Sequence, residues 1–499
     1  MTHRRLPRRD FLGAVALAAL PAAFRDDPYR LLPRTGMSSP AVRVRGRVAA
    51  LGRGLARVAL SDGRSVVTTD RDGRFELVTN TARRYLSLSL PSGHRIPTHP
   101  AGTARSFVRL APNPAGEMAV AFDLEPIPGG DERHAFLTLA DIQTQDDADM
   151  GLFRRDTVPD VQRTIRALGE VPTFGVAAGD IMWDKLGLYD DYEAAVRELG
   201  IPFVQVVGNH DLDMEQRSDG RSTTTFERRF GPRYWSFNRG QVHYVVLDDV
   251  LWYGDGYLGY VDDDQLAWLA EDLALVERGR PVVVFAHIPL LSNLSHRNGL
   301  ARAPVGNYVT NREAVYALLA PYRTTILTGH IHDSDWSTAG GVFERNLGAV
   351  CGGWWTGPIC YDGTPNGYAV HEVNGAELRW RYQATGQAAD HQIRVYPRGA
   401  DPKAPDEIVA NVWAFEPGWT VVWYENGARR GAMARRVGLD PLAVQTLAGA
   451  DLPARRGWVD PVPTGHLFYA PVAAGACDLR VEATDPFGQT YSATLRQAE

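Results

Sequence analysis

The 499-residue sequence predicts an α/β core with a β-rich domain on either side. Three observations carry that expectation. Residues alternate with period two from Val42 to about Leu124. Apolar runs then alternate with helical patterns from Ala135 to about Ala384, and β-type patterning returns beyond Ala388. At this length one hydrophobic core does not suffice, so several domains are expected.

Residues 1–40 read as a targeting segment and linker. Arg4, Arg5, Arg8 and Arg9 precede an apolar run from Phe11 to Leu20 that Pro21 ends. About ten apolar residues fall short of the ~20 that span a bilayer, so the pattern is that of a signal peptide. The order Arg8-Arg9-Asp10-Phe11-Leu12 resembles the twin-arginine export signal. That resemblance implies the twin-arginine translocase as a partner during export and a periplasmic, extracellular or cell-envelope location. No clean small-x-small cleavage site follows, so membrane contact is expected only through this segment, should it stay uncleaved.

From 41 to 125 short strands are separated by turn signals at Ser61-Asp62-Gly63, Arg71-Asp72-Gly73 and Pro91-Ser92-Gly93, which predicts a small β-sandwich. The stretch from Gly46-Arg47-Val48 to Asp70-Arg71-Asp72-Gly73-Arg74-Phe75 resembles the carboxypeptidase-regulatory or transthyretin-like sandwich. Glu125 to Arg133 is rich in Pro and Gly and reads as a linker. The core is expected over 133–387. Its strands are Ala135–Ala140, Thr173–Ala178, Phe203–Val207, Val242–Leu247, Pro281–Ala286 and Thr324–Leu327, with helices over Val158–Leu168, Tyr189–Leu199 and Asp263–Val276. Ala349–Cys351, Tyr368–Val373 and Leu378–Ala384 read as strands that complete it. Residues 388–499 form the last domain, with strands expected at Ile408–Phe415, Thr420–Tyr424 and Cys477–Thr484.

Composition narrows the partners. A hydrophobic fraction of 44% and a charged fraction of 22% are those of a soluble globular protein. A net charge of -6 gives no footprint for nucleic acid or an anionic membrane, whereas a small phosphate ester held through metal remains compatible. The three cysteines, Cys351, Cys360 and Cys477, do not make a disulfide framework. Buried free thiols are expected, with a Cys351–Cys360 pair after export as the alternative.

The chemistry lies in five motifs at the ends of the apolar runs. They are Asp141-Ile142-Gln143, Gly179-Asp180, Gly208-Asn209-His210-Asp211, His287 within Phe285-Ala286-His287-Ile288-Pro289, and Gly329-His330-Ile331-His332. Ligands in open α/β sheets bind beyond the carboxyl ends of strands, which is where these motifs fall. Together they hold enough oxygen and nitrogen donors for two ions about 3.5–4 Å apart. Asp180 suits the carboxylate shared by both ions, and Asp141 a terminal ligand to the first. Asn209 can offer its amide oxygen to the second. His210 is placed to protonate a leaving alkoxide or to hold a phosphate oxygen, and Asp211 is expected to orient it and raise its pKa. His330 and His332, two apart in an extended segment, can face the same way. Taken singly, Gly-Asp is a common turn and a lone buried His is usually core.

On these residues the chain from about Ala135 to Ala384 resembles the calcineurin-like metallophosphoesterases, whose pattern is Asp-x-His, Gly-Asp, Gly-Asn-His-Asp or -Glu, His, and Gly-His-x-His. The resemblance implies a four-layer α/β/β/α core. It implies a first ion held by Asp141, Gln143, Asp180 and His332, and a second held by Asp180, Asn209, His287 and His330. It also implies hydrolysis of a phosphate ester by metal-activated hydroxide, with His210 assisting the leaving group. Gln143 departs from the commoner His. Its neutral amide oxygen is the harder donor, so the first site is expected to hold a soft metal less well and to favour manganese or iron.

Trp183, Trp354, Trp355 and Tyr368 lie near the motif ends and are candidates for a substrate pocket. The acidic stretch Asp146, Asp147 and Asp149 reads as a solvated loop. Monoester and diester chemistry use the same ions, so a phosphatase, a phosphodiesterase and a nucleotidase all remain open. The rival from another class is a non-catalytic cell-envelope protein that binds phosphate ligands on the same core. A nuclease is disfavoured because no basic groove is evident.

Overall fold

The computed structural model describes residues 39–473 and 478–496. The expected targeting segment with Arg8 and Arg9, and Cys477, lie outside the described residues. Among the described residues no helix is long and apolar enough to cross a membrane.

Two sheets form the centre of the molecule. The first has the order Phe203–Val206, Thr173–Ala178, Arg133–Leu139, Gly367–Asn374, Glu377–Ala384. Its first three strands run parallel and the last two are antiparallel additions. The second has the order Trp235–Arg239, Val242–Val246, Pro281–Phe285, Arg323–Thr328, Val342–Asn346, Asp335–Ala339.

Strand parity shows how the layers stack. Alternate side chains point to opposite faces. Leu137, Leu139, Ala177, Val245, Val282 and Val284 pack with helix residues such as Val161, Tyr192, Val196, Leu269 and Val315. Their neighbours Phe136, Phe174, Val176, Tyr244, Val283 and Phe285 pack with one another between the sheets. The result is a four-layer α/β/β/α core. Its middle is aromatic, with Phe136–Phe174, Phe174–Tyr244 and Phe237–Tyr244 centroids at 5.3, 5.3 and 4.9 Å. Truncating any of these rings to Ala costs about 3–5 kcal/mol.

The flanking domains close the open parts of this core. The N-terminal one packs two four-stranded sheets, built on Ala41–Ala50 and Ala59–Ser61. It bridges Leu90 to Phe237 and Thr103 to Phe203, which are the outer strands of the two core sheets. Capping both edges removes the exposed ladders that invite aggregation. The C-terminal one is a second sandwich whose sheets share Ile408, Val412, Val421, Phe468 and Val481. It docks through buried polar contacts, including Ser334 Oγ donating to the Trp413 carbonyl at 2.5 Å and His466 Nε2 to Asp362 Oδ2 at 2.8 Å.

Two expected strands differ. Ala349–Cys351 lies in a turn, because Gly352, Trp354 and Trp355 adopt positive φ of 58°, 62° and 58° and no ladder can pass through them. The strand expected at Ile408–Phe415 is Glu407–Asn411, which stops where the chain turns at Val412–Phe415.

Candidate metal centre

Asp141, Asp180, His287 and His330 each stand two residues beyond a core strand, and Asn209 stands three beyond. All five therefore collect at one end of the two sheets. The loops that carry them are bent sharply. Asp141, Gln143, Asp180, His330 and His332 have φ of 51°, 48°, 46°, 72° and 56°. A non-glycine residue in this region costs roughly 1–2 kcal/mol, and such strain persists where the surroundings hold it. Two motif glycines have a steric reason. A Cβ on Gly208 would lie 2.2 Å from Asp180 Oδ1, and one on Gly329 would lie 2.3 Å from Asp141 Oδ2.

The carboxylate of Asp180 faces two groups at once. Its Oδ1 lies 3.2 Å from His287 Nε2, and its Oδ2 accepts from Gln143 Nε2 at 2.8 Å. On the first side Asp141 Oδ1 is 3.5 Å from His332 Nε2. On the second, Asn209 Oδ1 is 3.1 Å from His287 Nε2, and ligand atoms of Asp180, His287 and His330 lie within 4.8 Å of one another. The structure thus brings together all seven residues singled out as ligands.

Each histidine ties one ring nitrogen to a backbone carbonyl. His287 Nδ1 meets Ala178 O at 3.0 Å, His330 Nε2 meets Gly306 O at 2.9 Å, and His332 Nδ1 meets Gly352 O at 2.8 Å. This fixes the proton on that nitrogen and aims the other at the site, as histidine ligands to metals require. His332 Nε2 is buried with no hydrogen-bond partner. Charge divides the histidines: burial works against a charged His287, yet Asp180 beside it pulls the imidazole up to about 10, and Cys351, Tyr361 and Asp141 pull His332 up against burial as well. Burial works against a charged Asp180, yet His287 and then His210 beside it pull its carboxyl down. Burial, with His287 next, pushes the His330 imidazole down toward its neutral, ligating form. Buried carboxylates, an aimed unpartnered nitrogen and oxygen-rich donors fit two small cations.

Gln143 fits with one qualification of geometry. Its Nε2 faces Asp180, while its Oε1 accepts from the Cys351 thiol at 3.5 Å. Ligation through Oε1 requires the amide turned by half a rotation. Cys351, also 3.6 Å from His332 Nδ1, was not marked by sequence reasoning as part of the site. Cys351 and Cys360 are both free and buried.

The partner of His210 differs from the expected one. Asp211 is fully buried and accepts from the backbone N–H groups of Ile181, Met182 and Gly208 at 3.0 Å and from Tyr189 Oη at 3.1 Å. Its oxygens are occupied by the loop, so it does not orient His210. Burial, and then Asp180, push its carboxyl up to about 7. His210 Nδ1 instead meets Asp184 Oδ1 at 2.8 Å. Asp184 sits in the same loop as Asp180 with φ 59°, and that odd conformation has no signature in the residue type. Asp249 was missed as well. It is buried, and its Oδ1 accepts from the N–H groups of His287 and Ile288 at 3.2 Å. Its place just beyond the Val242–Val246 strand is the signal that would have found it.

Of the aromatic candidates, Trp183 and Trp354 stand at the site, with centroids 6.2 and 5.6 Å from His210. Trp355 turns into the core and donates from Nε1 to Ile142 O at 3.1 Å. Tyr368 is fully buried in its strand, with its hydroxyl 2.7 Å from Thr164 Oγ1, and does not line a pocket. The acidic stretch is not a solvated loop either. Asp146 caps the Asp147–Leu152 helix, and the buried Asp149 pairs with Arg455 and Arg456 of the C-terminal domain.

Three family models match consecutive stretches of the chain. These are the N terminal of calcineurin-like phosphoesterase over residues 42–126, calcineurin-like phosphoesterase over 134–334, and the C terminal of calcineurin-like phosphoesterase over 344–491. Among curated proteins, bovine serine/threonine-protein phosphatase CPPED1 is 25% identical over 244 residues, covering 46% of this chain and 74% of its own. Purple acid phosphatase 23 of Arabidopsis thaliana is 26% identical over 254 residues, covering 44% of this chain and 51% of its own. Among solved structures, a dimetal phosphatase from Danio rerio aligns with TM-score 0.35 and 16% identity over 50% of this chain and 96% of that one. Purple acid phosphatase PPD1 from yellow lupin aligns with TM-score 0.37 and 13% identity over 67% and 68%.

Proposed function

Because this chain belongs to the calcineurin-like phosphoesterase family of metal-dependent phosphoric ester hydrolases, we propose that it hydrolyses a phosphate ester at a two-ion site with His210 as general acid. Asp141, Gln143, Asp180 and His332 would hold one ion, and Asp180, Asn209, His287 and His330 the other. The ions, manganese, iron or zinc, would supply positive charge for the phosphoryl oxygens and for the attacking water. The single observation that carries the reading is the Asp180 carboxylate, with one oxygen toward each donor set.

The chain's own residues supply the rest. Asp184 holds Nδ1 of His210, which leaves Nε2 to carry a proton to the departing alkoxide. Asp211 and Asp249 pin the two motif loops through backbone N–H groups, so the donors stay placed without rearrangement. Export through the twin-arginine route belongs to the same proposal, supported by the Arg8-Arg9 sequence ahead of the apolar run. Replacing both arginines by Lys should leave the folded protein in the cytoplasm.

His210→Ala tests the catalytic reading. It should lower kcat roughly a hundredfold or more with the ion content unchanged. Full activity in that variant would remove the general-acid role. A panel of phosphomonoesters, phosphodiesters and nucleotides assigns the ester class. No turnover of any of them by protein carrying both ions would favour a non-catalytic phosphate-binding role.

A further inference from the structure

Three tryptophans from three distant parts of the chain meet at the mouth of the site. Trp183 follows the Asp180 loop, Trp354 stands in the left-handed turn after Gly352, and Trp458 comes from the C-terminal domain, between the Pro441–Ala448 helix and the Thr464–Pro471 strand. Trp183 and Trp354 centroids are 4.1 Å apart, and Trp458 lies 5.6 Å from Trp354 and 6.3 Å from Trp183. Trp354 also stacks on His332 at 5.1 Å and meets His210 edge-on at 5.6 Å. The three indoles therefore form a continuous surface leading outward from the ligand His332 and the general acid.

Trp458 is 58% exposed, and its contacts with the other two indoles, at 62° and 70°, are not stacked ones. Its position is nevertheless held from both sides. Val459 is buried with Ile359, Ala443 and Leu447. Arg456, with its side chain 7% exposed, lies 4.6 Å over the Trp183 ring and bonds Asp149 Oδ2 at 2.5 Å, Gln145 Oε1 at 3.3 Å and the Trp354 carbonyl. One guanidinium thus ties the C-terminal domain to the loops that follow Gln143, Asp180 and Cys351. Arg455 pairs with Asp146 and Asp149 and Arg456 with Asp149, so neither guanidinium is free beside the indoles.

We propose that Trp458 is a specificity-determining residue, whose exposed ring, backed by Trp183 and Trp354, stacks on a planar ring in the leaving group of the ester. The inference rests on the two-ion phosphoesterase reading and names its substrate class: esters of ring-bearing alcohols, either aryl or nucleoside. Stacking on indole tolerates any flat π-face, which is why ring geometry and not a hydrogen-bond pattern is the feature selected.

The test compares binding by titration calorimetry of three phosphonates that cannot be hydrolysed as esters: methylphosphonate, phenylphosphonate and the isosteric phosphonate of adenosine 5′-monophosphate. The metal-loaded protein should prefer at least one ring-bearing probe to methylphosphonate. Trp458→Ala should reduce that preference roughly three- to tenfold and leave methylphosphonate affinity unchanged, and Trp458→Phe should restore most of it. Loss on the phenyl probe alone assigns an aryl leaving group, and loss on the adenosine probe alone assigns a nucleoside. The same ring preference in the wild type and in Trp458→Ala, or no ring preference at all, overturns the inference while the two-ion reading stands. No binding of any of the three overturns the two-ion reading itself, and the inference with it.

Discussion

His210 Nδ1 lies 2.8 Å from Asp184 Oδ1, whereas Asp211, next to it in sequence, spends its carboxylate on three backbone N–H groups and Tyr189. A strand-end loop turns successive side chains in different directions, so adjacency in sequence does not make a pair. The two aspartates consequently have separable places, one beside His210 and one in the scaffold.

Asp184→Asn should lower kcat roughly ten- to hundredfold for esters with alkyl leaving groups, which need a proton, and much less for p-nitrophenyl esters, which do not. Steady-state kinetics on both substrate types checks this. Equal losses on the two would mean that Asp184 acts on folding or on the ions instead.

Asp211→Asn should behave differently. It sets an amide N–H₂ among four donors in a fully buried place, at a cost of about 1–3 kcal/mol. Thermal unfolding and metal analysis should show a lower midpoint and weaker ion retention. The alkyl-to-nitrophenyl rate ratio should stay that of the wild type.

Gly208→Ala probes the close approach between loops. The added Cβ would sit 2.1 Å from the Asp180 backbone nitrogen and 2.2 Å from Oδ1, so the shared carboxylate must move. A displacement of that size costs roughly a hundredfold in rate. Bound metal per chain should fall together with activity, while the circular dichroism spectrum of the folded protein persists.

His134 sets part of the acid stability. It sits between the Asp131 carbonyl at 2.8 Å and Tyr244 Oη at 2.6 Å, and burial holds its imidazole down at about 4. The unfolded chain, with a His pKa of about 6.5, takes up the proton first. Stability present above pH 6.5 is therefore lost as pH falls toward 4, by up to about 3 kcal/mol. Urea unfolding of wild type and His134→Gln over that range should show the wild type losing ground to the variant by this amount. A constant gap would contradict it.

Much of this was legible in the sequence, because the patterns involved are local. The helices Val158–Leu168 and Tyr189–Leu199 and the strand Thr173–Ala178 fall where periodicity places them. The seven donor residues follow the strand ends, where the apolar runs that pack both faces of the sheets give way to polar motifs. What escaped depends on contacts between distant segments or on backbone conformation. Asp149 looked solvated because its partners, Arg455 and Arg456, lie more than three hundred residues away. Tyr368 is a pocket candidate by its aromatic type alone, yet its hydroxyl pairs with Thr164, about two hundred residues earlier in the chain. Ala349–Cys351 carries a strand pattern, but the left-handed turn that follows it at Gly352, Trp354 and Trp355 carries no mark in composition. Trp458 could not be joined to Trp354 without the docking of the C-terminal domain.

The central claim is that Asp180 is shared by two ions, and electron paramagnetic resonance of the manganese-loaded protein tests it most directly. Metal analysis alongside should find two manganese ions per chain, and the spectrum should be that of an exchange-coupled pair, lost in Asp180→Asn. A single uncoupled ion, or a coupled pair that survives Asp180→Asn, would contradict the account.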